Sequence, residues 1–131
     1  MTEIEGDDMH SHHFCRAGAG LCLILVLPAL AAEPCPLAPA KINSADAAVA
    51  RAARAIEVYR IGKLKPECMA LVANRRKTGY LVDVREIHND TCGGDPMTEP
   101  RAFSIDVAWD GNMKSDVYDH LRYLPLACPK A

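Results

Sequence analysis

Four cysteines, Cys35, Cys68, Cys92 and Cys128, are spread over the last hundred residues of this 131-residue chain. Whether they cross-link depends on the compartment, and the compartment is written upstream. Residues 21–27, Leu-Cys-Leu-Ile-Leu-Val-Leu, form an apolar run followed by Pro28, Ala29, Leu30, Ala31 and Ala32. A membrane-spanning helix needs about 20 apolar residues, so this run is too short and reads as a secretory signal peptide. Ala29 and Ala31 suit the −3 and −1 positions of a peptidase site, which predicts cleavage after Ala31, with Ala32 a close alternative. Glu3, Glu5, Asp7 and Asp8 do not suit a positive leader, whereas Met9 opens one that ends at Arg16. Translation is therefore expected to begin at Met9. Leu21 and Pro34 precede Cys22 and Cys35 in place of the small residues a lipid-acceptor cysteine requires. The expected product is periplasmic or secreted, with no stable membrane anchor after cleavage. Residues 1–31 are assigned to the signal peptide, 32–42 to a proline-rich lead-in and 43–131 to a single small domain.

In an oxidising compartment an even set of cysteines reads as disulfides, and four allow three pairings. Cys68–Cys92 with Cys35–Cys128 is favoured, because the second bridge ties both ends of the domain together. Loop-closure entropy gives upper values of about 3–4 and 4–5 kcal/mol for the two bridges. A zinc site is disfavoured, since no C-x-x-C pair occurs and the spacings are wide. Removing Arg16 and the four leader acids leaves fourteen basic and thirteen acidic side chains, a net charge of +1. That balance offers no basic surface for nucleic acid. His10, His12 and His13 depart with the leader and receive no role. A domain of about a hundred residues buries only about two-thirds of its unfolded surface, so cross-links matter to it. Tyr59, Tyr80, Phe103, Trp109, Tyr118 and Tyr123 are expected to supply much of its core.

Asn43 is placed to cap a helix over residues 45–61, with Asp46 near its positive end. Ala45, Ala48, Val49, Ala52, Ile56 and Tyr59 form its apolar stripe, and Gly62 is its expected stop. Residues 67–73 suggest a short strand and 74–79 a polar turn. Residues 80–88 alternate, with Tyr80, Val82 and Val84 on one face. Residues 101–110 alternate most clearly, through Phe103, Ile105, Val107 and Trp109. Asp110-Gly111-Asn112 then signals a turn. One or two weaker strands are expected within 115–126. One helix followed by alternating strands predicts an α+β fold, with the helix packed on an antiparallel sheet of three to five strands.

The segment 88–101 joins the two clearest strands. Residues 83–88 (Asp-Val-Arg-Glu-Ile-His), 92–96 (Cys-Gly-Gly-Asp-Pro) and 100–104 (Pro-Arg-Ala-Phe-Ser) resemble those of small exported bacterial proteins of unknown function. With Trp109-Asp110-Gly111-Asn112, the layout is similar to PepSY-like or cystatin-like α+β domains. That resemblance implies a fold and an envelope location, and it implies no catalytic residue. From the residues alone, paired glycines permit positive φ, Asp95 can bond nearby amides and Cys92 pins the loop. The same rigid loop is a candidate binding surface, comprising Glu86, His88, Asp90, Gly93, Gly94, Asp95 and Arg101.

Chemistry is limited by inventory. His88 and His120 are the only histidines beyond the leader, and disulfides would remove every thiol nucleophile. Glu86 with Asp90 or Asp95 is the one faint carboxylate pair, and no glycine-rich phosphate loop is present. No catalytic residue, cofactor or metal ligand is assigned. The expected function is a non-enzymatic, inhibitor-like module that binds an envelope protein or peptide through its sheet edge or the 92–101 loop. The alternative is an envelope protein holding a metal or small ligand with Glu86, His88 and Asp90.

Overall fold

The computed structural model describes residues 34–131, so the signal segment and the expected start at Met9 lie outside the described residues. Its elements are helix α1 (Ala45–Tyr59), a 3-10 turn (Pro66–Cys68) and strands β1 (Met69–Arg76), β2 (Gly79–Glu86), β3 (Arg101–Ala108), β4 (Met113–Ser115) and β5 (Leu124–Pro125). The strands form one antiparallel sheet in the order β1-β2-β3-β4-β5, with α1 packed across one face. This is the α+β fold that the alternation predicts.

The helix starts where Ser44, one residue after Asn43, accepts the Ala47 N–H at 3.1 Å. It ends at Tyr59, earlier than expected. Arg60 takes the left-handed turn at φ 51°, its N–H donates to Glu57, and the Ile61 N–H donates to Ile56. Buried Ile61 and Ile56 close this reversal, whose backbone pattern is usually carried by glycine. Gly62 lies beyond it and lets the chain pass close to the Phe103 ring.

The core joins Ala48, Ala52, Ala55, Ile56 and Tyr59 of α1 to Tyr80, Val82, Val84, Phe103, Ile105 and Val107 of the sheet. Alanines on the helix face permit close approach to these larger strand residues. Val82, Val84, Ile105 and Val107 are wholly buried, each stabilising the fold by about 1.5–3 kcal/mol. The buried stripe differs from expectation at its edges: Ala45 is exposed, Val49 is half-buried, and Ala55 is fully buried. Only Tyr59, Tyr80 and Phe103 among the six aromatics are buried, whereas Trp109, Tyr118 and Tyr123 keep substantial exposure.

β1 continues through Arg76, across residues expected to turn, because Asn74, Arg75 and Arg76 pair with Leu81, Tyr80 and Gly79. An exposed strand edge needs no apolar alternation, so the polar sequence concealed it. Of the strands expected within 115–126, one forms earlier, as β4 at Met113–Ser115, and the other is the two-residue β5. Between them Asp119 caps Leu121 and binds Arg122, which holds that segment in a turn.

Two disulfides staple the domain. Cys35 joins Cys128 and Cys68 joins Cys92, with Cα separations of 5.8 and 5.6 Å. They are consistent with an oxidising compartment. The proline-rich lead-in is integrated as well: Ala40 and Ile42 donate to the Asp110 and Trp109 carbonyls, and Ile42 is buried. No helix among the described residues is long and apolar enough to cross a membrane.

Candidate binding site

The segment between β2 and β3 is organised around His88. Its Nδ1 lies 3.1 Å from the Asp95 carbonyl and 3.0 Å from Thr98 Oγ1, while Nε2 lies 3.1 Å from Glu86 Oε2. The Thr98 hydroxyl donates to the same Asp95 carbonyl, leaving its oxygen as an acceptor towards the ring. Both ring nitrogens therefore face acceptors, an arrangement that suits the doubly protonated imidazolium. The Glu86 hydrogen bond is the largest influence raising the His88 pKa above 6.5, with the Asp95 carbonyl adding to it against desolvation.

Neighbouring residues complete a self-contained loop. Asn89 Oδ1 accepts the Thr91 and Cys92 N–H groups, and Asp95 Oδ1 accepts that of Met97. Gly93 and Gly94 adopt φ of 75° and 83°. A Cβ on Gly94 would lie 2.5 Å from the His88 ring, whereas one on Gly93 would meet nothing within 4 Å. Asp90 is exposed, and among the described residues no three His, Cys, Asp or Glu side chains converge to hold a metal ion. Glu86, His88, Gly93, Gly94 and Asp95 thus share one neighbourhood, with their polar groups largely engaged in fixing the loop.

Arg101 belongs elsewhere. Its Nη1 donates to Asp116 Oδ2 at 2.6 Å and to Ser104 Oγ at 2.9 Å. Asp116 Oδ1 accepts the Ser104 N–H at 2.7 Å, the Ser104 hydroxyl donates to Asp83, and the Ser115 hydroxyl donates to the Ser104 carbonyl. Ser104, Ser115 and Asp116 are buried. This network lies on the sheet face away from α1, where Ser104 alternates with the core-facing Phe103 and Ile105. The carboxylate hydrogen bond is the largest influence holding the guanidinium charged. Sequence alternation marks Ser104 as facing away from the core, but nothing in the sequence pairs it with Asp116.

The sheet edge has a different character. β1 has a strand neighbour on one side only. The Ile87 N–H donates to the Cys68 carbonyl at 2.9 Å, and Met69 lies opposite Glu86. Antiparallel alternation then bonds Ala70, Val72, Asn74 and Arg76 to β2, turning the N–H and C=O groups of Leu71, Ala73 and Arg75 outward, while the Met69 N–H donates to the Pro66 carbonyl. Beside this edge, between β1 and the end of α1, runs a groove of about 340 Å³. Ile56, Ile61, Leu64, Met69 and Leu71 line it, together with Arg60. Two further depressions share Thr78 and Asp106 and have more polar walls. Sequence reasoning named the sheet edge without naming the strand; the groove depends on how α1 ends and was not legible there.

Compared with known proteins, the chain matches no protein-family model, no curated protein and no solved structure.

Proposed function

We propose that this protein is an exported, non-enzymatic binding module that takes an extended polypeptide as an added strand on the β1 edge. The observation that carries this reading is the eight-residue strand with one open side lying along an apolar groove. In strand addition, backbone hydrogen bonds provide affinity and pockets beside the edge select alternate side chains. Leu71, Ala73 and Arg75 offer the backbone groups, and Ile56, Ile61 and Leu64 offer the apolar wall. The 88–101 loop is the weaker surface, because its polar groups already bind one another. The same internal bonding weighs against a metal or small-ligand site at Glu86, His88 and Asp90. The short apolar leader and the two disulfides favour a periplasmic or secreted location.

Selection from a random library of displayed peptides on the immobilised domain tests the proposal. The enriched sequences should be strand formers that bind the wild type and lose binding to Ala73→Pro. Proline there removes an outward N–H and no ladder bond, so the sheet should persist. Enriched peptides that bind both proteins equally would refute an edge site.

A further inference from the structure

The β1 edge is flanked by an excess of positive charge. Lys63 and Lys65 precede it, Arg75, Arg76 and Lys77 close it, and Arg60 lines the adjoining groove. All six are exposed. The nearby acids are Glu67, three that bind other groups (Glu57 with Arg54, Asp83 with Asn74 and Ser104, Glu86 with His88) and Asp106, which shares a depression with Arg76 and Lys77. The middle of the edge is uncharged, from Met69 to Asn74.

From this pattern we infer that the strand accepted at the β1 edge is apolar at alternate positions in its centre and acidic at its ends. The inference rests on the strand-addition reading and names the partner's chemistry. Residues of the added strand that point to the α1 side would sit beside Met69 and Leu71 in the groove, which calls for medium-sized apolar side chains at every second position. Carboxylates at the two ends would meet the Lys63–Lys65 and Arg75–Lys77 clusters. A basic partner would meet like charge at both ends. A second copy of this chain is disfavoured for the same reason: antiparallel pairing of two β1 edges brings one copy's Arg75–Lys77 cluster towards the other's Lys63–Lys65 cluster. Lysine and arginine on an open edge commonly prevent such self-pairing. The edge is thereby closed to its own kind and open to an acidic strand.

Three synthetic peptides with a common Val-Thr-Val-Thr-Val-Thr centre test this, with Asp-Glu, Ser-Ser or Lys-Lys pairs at both ends. Binding is read by calorimetry and by amide shifts in the intact domain. The expected result is that the acid-ended peptide binds at least about tenfold tighter than the lysine-ended one at low salt, with the gap narrowing as ionic strength rises towards about 0.5 M. Shifts should centre on Leu71, Ala73 and Arg75. In Lys65→Glu/Arg76→Glu the preference should reverse. Equal binding of all three peptides at that edge would overturn the charge inference while leaving strand addition standing. Failure of all three to bind, or sedimentation showing that the edge is covered by a second copy, would overturn both.

Discussion

Removal of Asp116 discriminates between a structural and a ligand-binding role for Arg101. The Asp116 side chain is only 4% exposed, against 46% for that of Arg101. Its two oxygens serve different donors, the Arg101 guanidinium and the Ser104 N–H. A hydrogen bond to a charged group contributes about 1.5–3 kcal/mol, and the exposure of Arg101 lowers this, because water can enter where the guanidinium was. Arg101→Ala should therefore cost about 1–2 kcal/mol. Asp116→Ala loses the same contact and also strands the buried Ser104 N–H, which adds about 1–3 kcal/mol, for a total of about 2–5 kcal/mol. In a domain of this size 1 kcal/mol corresponds to about 4–8 °C in Tm, so Asp116→Ala should melt at least about 8 °C lower. The double variant should be little worse than Asp116→Ala alone, since both substitutions break one shared contact. Urea denaturation of the four proteins measures each quantity. Refutation would be Asp116→Ala within about 0.5 kcal/mol of wild type, or costs for the two single variants that simply add.

The remaining predictions concern the loop and the bridges. His88 should titrate above 6.5 when its ring proton is followed by NMR, and Glu86→Gln should lower the midpoint; a midpoint at or below 6.5 in the wild type would contradict the geometry. Because the folded-state pKa is raised, the stabilisation it brings is complete below pH 6.5 and is lost as pH rises through the folded-state value, so urea midpoints should show this decline and His88→Gln should lack it. Gly93→Ala should cost about 1 kcal/mol from its left-handed backbone, while Gly94→Ala should cost more and shift the His88 resonance as well. Cys35→Ala/Cys128→Ala, which opens a loop spanning 93 residues, should destabilise by up to about 4.7 kcal/mol in denaturant.

The fold was legible where burial imposes a period. Val82 and Val84 in β2, and Phe103, Ile105 and Val107 in β3, alternate because one face of each strand meets α1. Both cysteine pairs were legible from their number and from the advantage of tying the two ends together. The limits of β1 were not, because Asn74, Arg75 and Arg76 lie on an open edge where side-chain polarity carries no constraint. The helix ends earlier than the periodicity predicts because Arg60 adopts a turn that glycine usually takes, with the Ile61 N–H reaching back to the Ile56 carbonyl. Among the candidate site residues, Glu86, His88 and Asp95 do converge with the two glycines. Arg101 does not join them, since its partner Asp116 lies 15 residues away and becomes a neighbour only through the β3–β4 pairing.

Amide hydrogen exchange across β1 tests the central claim most directly. In the free domain Ala70, Val72, Asn74 and Arg76 should exchange slowly through their bonds to β2, while Leu71, Ala73 and Arg75 exchange fast. Addition of a selected peptide should slow those three outward amides and leave residues 88–101 unchanged. Protection that appears instead at 88–101, with the β1 edge still exchanging fast, would contradict strand addition.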